Sequence, residues 1–153
     1  MIEQPHITEH EAQLTAIIRF TIPRSEIVKV MGPGIDELME TVRAQGIGPA
    51  GRWYSLHHRM DPATFDFEIG VPVSAPVTPT GRVESGQLPA ARVVRTVYHG
   101  GYEGLGAAWG ELVPYCAAER LAIAPNLWEV YLVGPESGPD SAAYRTELSR
   151  PLL

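Results

Sequence analysis

Glu68-Ile69-Gly70-Val71-Pro72-Val73 is echoed near the C-terminus by Glu147-Leu148-Ser149-Arg150-Pro151-Leu152. Both runs have the form Glu-apolar-x-x-Pro-apolar. The first closes a longer alternation, in which Phe65, Phe67, Ile69, Val71 and Val73 oppose Asp66, Glu68, Gly70 and Pro72. Period-two alternation of this length is a strand. Matched closures invite a search for matched beginnings. Each half reads strand, glycine turn, amphipathic helix, strand, strand. Met31-Gly32-Pro33-Gly34 with Leu38 parallels His99-Gly100-Gly101-Tyr102 with Leu105, and Trp53 and Trp128 each begin the next strand.

The remaining elements follow from the same two periods. Leu14, Ala16, Ile18, Phe20 and Ile22 alternate with Thr15, Ile17, Arg19 and Thr21, so Leu14–Ile22 is a strand with one buried face. Pro33 suits a helix entry after the Gly32-Pro33-Gly34 turn. Ile35, Leu38, Met39 and Val42 then mark an amphipathic helix that ends at Gly46. Strands are predicted over 52–58, 91–99, 127–133 and 143–150. Asp61-Pro62 is a turn. Residues 74–90 form a proline-bearing connector with a short strand near 82–84, and His6 and Ile7 are placed to pair at a sheet edge. Tyr102–Leu121 carries Leu105, Trp109, Leu112 and Cys116 on one stripe and is kinked by Pro114. The fold class is α+β: two βαββ units forming an eight-strand curved sheet, with two helices on one face and a central ligand cleft. The chain reads as one domain with pseudo-repeats at about 12–73 and 91–152.

Composition narrows the function. The 153 residues are 44% apolar and 20% charged, an ordinary globular mixture. A net charge of −6 with scattered basic residues argues against nucleic acid binding. No apolar run is long enough for a membrane span, and Met1–Gln13 lacks the pattern of a signal peptide. A lone cysteine, Cys116, fits a reducing, cytoplasmic setting and reads as a core thiol. No His, Cys, Asp or Glu spacing matches a zinc or calcium pattern, and His57 and His58 point to opposite sides of a strand. No P-loop or dinucleotide fingerprint is present. Neither a metal nor a cofactor is expected.

Glu129 is the position that points to chemistry. In Leu127-Trp128-Glu129-Val130-Tyr131-Leu132-Val133, the residues Trp128, Val130 and Leu132 suit packing under a helix. Glu129 shares the other face with Leu127, Tyr131 and Val133. Burying a carboxylate there is costly unless a cation or hydrogen bonds answer it. A bound cation is one answer; an ordinary cross-strand ion pair with Arg19, Arg95 or Arg145 is the other. Tyr98, Tyr102, Tyr131, Trp53 and Phe67, with Tyr54 and Phe65, supply aromatic faces, each cation–π contact contributing roughly 0.5–2 kcal/mol. Trp109 and Phe20 read as core. The candidate ligand-binding set is Glu129, Tyr131, Tyr98, Tyr102, Trp53, Phe67 and Leu127. No nucleophile–base pair is visible, so no catalytic residue is assigned.

The run Tyr98-His99-Gly100-Gly101-Tyr102-Glu103-Gly104-Leu105, the strand Trp128-Glu129-Val130-Tyr131-Leu132 and the two closures together resemble the gyrase-inhibitor-like (GyrI-like) family over about residues 10–153. The same module serves as effector-binding domain in some AraC-type and multidrug-sensing MerR-type regulators. The resemblance implies two βαββ units around a cleft for hydrophobic, often cationic compounds. It also implies Glu129 as the cation partner, in the family's Glu-x-Tyr-Leu strand. Pro114 departs from the family's uninterrupted second helix. The chain carries no helix-turn-helix segment, so it is expected to bind a small molecule, with a protein partner possible, and to bind neither nucleic acid nor membrane directly. Two alternatives remain: hydrolysis of electrophilic small molecules, as some relatives perform in an aromatic cage, and gyrase-inhibitor-type binding to a protein.

Overall fold

A computed structural model describes residues 1–60 and 63–153; the Asp61-Pro62 turn lies outside them. The described elements run β1 (His6–His10), β2 (Gln13–Pro23), α1 (Ile27–Ala44), β3 (Tyr54–Met60), β4 (Thr64–Pro72), β5 (Glu84–Leu88), β6 (Ala91–His99), α2 (Leu105–Ala118), β7 (Leu127–Val133) and β8 (Arg145–Pro151). Eight antiparallel strands and two helices make an α+β protein, as the alternation and the stripes predict.

The chain forms two compact units, Glu11–Ala90 and Met1–His10 with Ala91–Leu153. In the first, β5 pairs with β2, β2 with β4 and β4 with β3. In the second, β1 pairs with β6, β6 with β8 and β8 with β7. The strand order is therefore the same. The edge strand of each unit is drawn from the segment that precedes the other unit's first long strand: β1 comes before β2 but pairs with β6, and β5 comes before β6 but pairs with β2.

In the first unit, Ala16, Ile18 and Phe20 face Val71, Ile69 and Phe67 across the β2–β4 ladder. They pack with Leu38 and Val42 of α1 to make its core. Leu14, expected on the buried face, is exposed, and Thr15–Ile18 is buried on both faces, because Thr15 and Ile17 are enclosed as well; the single buried face expected there holds only from Arg19 onward. Gly32-Pro33-Gly34 is not a turn. It lies inside α1, which starts at Ile27 after a 3-10 turn. A Cβ on Gly34 would stand 3.0 Å from both Ile69 and Phe20, so the glycine lets the helix press against the sheet. Ile27, Val30 and Met31 pack against the core ahead of Pro33, and this packing offsets the one hydrogen bond that proline removes. The strand expected near 82–84 is β5, two residues later.

In the second unit, Tyr98 and Leu148 pack with Ala108 of α2, while Val94 packs with Leu112 and Cys116. Pro114 lies within α2 without ending it. Both helices end in one motif. Ile47 N–H bonds Val42 C=O and Gly46 N–H bonds Arg43 C=O; Leu121 N–H bonds Cys116 C=O and Arg120 N–H bonds Ala117 C=O. This is a Schellman closure, with Gly46 at φ +68° and Arg120 at φ +56°. No described helix is long and apolar enough to cross a membrane.

Candidate functional site

Strand β7 pairs antiparallel with β8 from Trp128 to Val133, with a register shift after Tyr131; Glu129 lies opposite Leu148 and Tyr131 opposite Thr146. Directly paired residues share a sheet face, and Leu148 packs against α2. Glu129 and Tyr131 therefore face the helix. The expectation that Trp128, Val130 and Leu132 lie beneath a helix is reversed. Trp128 is wholly buried on the other face, edge-on to His10 at 5.1 Å. The apolar residues on both faces of this strand leave its orientation undetermined from sequence.

The reversal brings an aromatic donor to the acid. Trp109 of α2 gives its indole N–H to Glu129 Oε2 at 2.7 Å. The Tyr131 hydroxyl donates to Glu129 Oε1, also at 2.7 Å. Glu129 is only 8% exposed. Hydrogen bonds to both oxygens replace part of the hydration that burial removes. The arginines named as cross-strand partners have bonds elsewhere. Arg19 pairs with Glu68 and Glu84, and Arg95 with Glu147 and Ser149; Arg145 donates to the carbonyls of Ala142 and Tyr144.

Tyr102 stands edge-on to Tyr131 at 5.8 Å and tilted against Tyr144 at 5.2 Å. Burial, followed by the charges of Glu136, Tyr144 and Glu129, pushes its phenol up to about 12, so it is a neutral hydrogen-bonding group. Its hydroxyl occupies the space a Cβ on Gly134 would need. Tyr98 gives its proton to Gly101 C=O at 2.9 Å and is crowded by Gly104, where a side chain would overlap it. Leu127 is buried in β7.

The structure thus gathers Glu129, Tyr131 and Tyr102, with Tyr98 on the same sheet face as Tyr131 through Thr146. Trp53 and Phe67 belong to the first unit. Phe67 stacks on Phe20 and His57, and Trp53 packs on that unit's core. Trp53 also precedes β3, so by register the counterpart of Trp128 is Tyr54, opposite Gly70 as Trp128 is opposite Ser149. Three members of the site were not singled out from sequence. Trp109 read as core because it lies on the apolar stripe; its signal was the indole N–H, which asks for an acceptor once buried. Tyr144 sits after a 3-10 turn and shows no periodicity. Thr146 looks like any strand threonine. Among the described residues, no group of His, Cys, Asp and Glu is placed to hold a metal ion.

A small α+β scaffold thus brings together a buried acid, two aromatic donors and further tyrosines. The family model described as GyrI-like small molecule binding domain matches residues 3–153, and the chain belongs to that family. Among solved structures it is similar to the EcmrR C-terminal domain, with a TM-score of 0.85 at 22% identity, covering 98% of this chain and 97% of that one. It spans 57% of the EcmrR chain in a complex with DNA, with a TM-score of 0.84 at 22% identity over 97% of this chain. A hydrolase from Listeria innocua matches with a TM-score of 0.68 at 13% identity, over 98% of this chain and 92% of that one. SAV2435 bound to tetraphenylphosphonium matches with a TM-score of 0.66 at 13% identity, over 99% and 94%. Identities this low speak for the fold alone. No curated protein matches the chain in sequence.

Proposed function

We propose that this GyrI-like domain binds hydrophobic organic cations at Glu129. The observation that carries the reading is the buried carboxylate itself, fixed by Trp109 and Tyr131 at 2.7 Å beside the Tyr102–Tyr144 pair. Its negative charge lies among rings whose faces attract cations. The cation held by the fold relative SAV2435 is of the same chemical class. Glu129, Tyr131 and Tyr98 are nearly closed to solvent. A ligand therefore reaches the acid when half-buried Tyr102 and Tyr144 swing aside. Tyr98, with its hydroxyl tied to Gly101, forms a fixed wall; Leu127 adds an apolar one. This set is drawn from the second unit; Trp53 and Phe67 pack within the first.

A unit charge about 6 Å from the carboxylate contributes about 3 kcal/mol at an effective dielectric near 20. That corresponds to a factor of about 100 in affinity. Calorimetric titration with tetraphenylphosphonium should show a drop of tenfold to hundredfold in Glu129→Gln. Neutral triphenylphosphine oxide should bind both proteins alike. Equal affinity of the two proteins for the cation would remove the reading. The hydrolytic alternative finds support in the Listeria innocua relative's name; consumption of an electrophilic ligand on binding, abolished in Glu129→Gln, would favour it.

A further inference from the structure

Thr146 is 0% exposed, and its Oγ1 has no hydrogen-bond partner among the described residues. It lies opposite Tyr131 across β7–β8 and opposite Tyr98 across β6–β8, so all three side chains share the sheet face that carries Glu129. The neighbouring hydroxyl protons are committed: Tyr131 to Glu129, Tyr98 to Gly101 C=O and Thr96 to Glu3 C=O. A valine would fill the same volume without the cost of an unsatisfied buried hydroxyl. What a valine lacks is an acceptor, one diagonal step across the ladder from a carboxylate.

We propose that Thr146 is a second recognition residue of the Glu129 site. Its hydroxyl accepts a hydrogen bond from the N–H of a protonated amine, so the site separates amine cations from fully alkylated ones. The inference rests on the reading of Glu129 as the cation partner. An ammonium beside Glu129 gives its charge to the carboxylate, and an N–H is answered by Thr146. A quaternary ammonium or phosphonium gains the charge term but leaves the threonine unpaired.

The test compares diphenhydramine with its N-methyl quaternary salt by calorimetry at pH 7. Wild type should prefer the protonated amine by fivefold to tenfold. In Thr146→Val the preference should fall to about one, with affinity for the quaternary salt unchanged within twofold. Thr146→Ser should keep it. Thermal unfolding of ligand-free Thr146→Val should be no lower than that of wild type, since only an unpaired hydroxyl is removed; a clear loss would show the hydroxyl already engaged and overturn the proposal. An unchanged preference in Thr146→Val, with Glu129→Gln still weakening both cations, would overturn the role of Thr146 and leave that of Glu129 standing. If Glu129→Gln weakens neither, the parent reading fails as well.

Discussion

The two units share strand order and helix ending, and they differ where the chemistry lies. Strand register sets Ser55 opposite Ile69 and Glu129 opposite Leu148, at the same place in the two Glu-apolar-x-x-Pro-apolar closures. Counting back from the Schellman closures sets Ile35 where α2 has Trp109. The second unit thus has Trp109, Glu129, Tyr131 and Thr146 where the first has Ile35, Ser55, His57 and Phe67. Ile35 packs into an apolar core, and Phe67 stacks on His57 at 5.1 Å. The same scaffold positions hold Ile35, Ser55, His57 and Phe67 in one unit and, in the other, an acid, its two donors and a hydroxyl with no partner among the described residues. The scaffold alone therefore does not specify function.

His57 offers the largest break in this comparison. It is buried, its Nδ1 has no partner among the described residues, and burial, aided by Arg24 and His58, pushes it down to about 4. The folded protein keeps it neutral, whereas the unfolded chain protonates it below about 6.5. The unfolded state then binds more protons, so stability falls as pH drops from about 6.5 to about 4 and is unaffected by this group above that window. The loss amounts to about 3 kcal/mol at the acid end. Denaturant unfolding at pH 7.5 and pH 4 should show this difference between wild type and His57→Leu. Parallel pH profiles for the two would mean that His57 is not held neutral.

A smaller effect sharpens the contrast at the helix. Trp109→Phe keeps most of the packing but removes the indole donor to Glu129 Oε2, whereas Ile35 carries no donor. In a double-mutant cycle, Trp109→Phe and Glu129→Gln should couple by about 1.5–3 kcal/mol, the range for a hydrogen bond to a charged group. Ile35→Val with Ser55→Ala should couple by less than about 0.5 kcal/mol. Similar coupling in both units would erase the distinction.

Most of the architecture was legible because alternation and stripe carry it: β6 and β7 fall where the pattern places them, and the paired closures lie in strands that hold the same place in each unit's pairing order. What failed has physical causes. Gly32-Pro33-Gly34 carries turn residues, but tertiary packing of Gly34 against Phe20 and Ile69 draws it into α1. Glu129 stood out because a carboxylate in an apolar strand is anomalous. Its surroundings were hidden, since a strand apolar on both sides does not reveal which face meets the helix. Trp53 and Phe67 had the right chemistry, and only the packing assigns them to the first unit, Phe67 within its core and Trp53 against it.

The subtlest difference sits at the helix ends. Gly46 and Arg120 both occupy the left-handed position of a Schellman closure. An L side chain there costs roughly 1–2 kcal/mol relative to glycine. Arg120→Gly removes that strain but gives up a charge near a helix C-terminus, about 0.3–1 kcal/mol, and adds freedom to the unfolded chain, about 0.4–1 kcal/mol. The net gain should be under about 1 kcal/mol, a rise of 1–3 °C or so in Tm. Gly46→Ala runs the other way: strain enters, and no terminal charge is gained in return. It should lose about 1 kcal/mol or less after the entropy benefit of alanine. Opposite signs in thermal unfolding would show that the two closures are the same device built with different residues; a loss in both variants would mean that the arginine side chain makes contacts which outweigh its strained backbone.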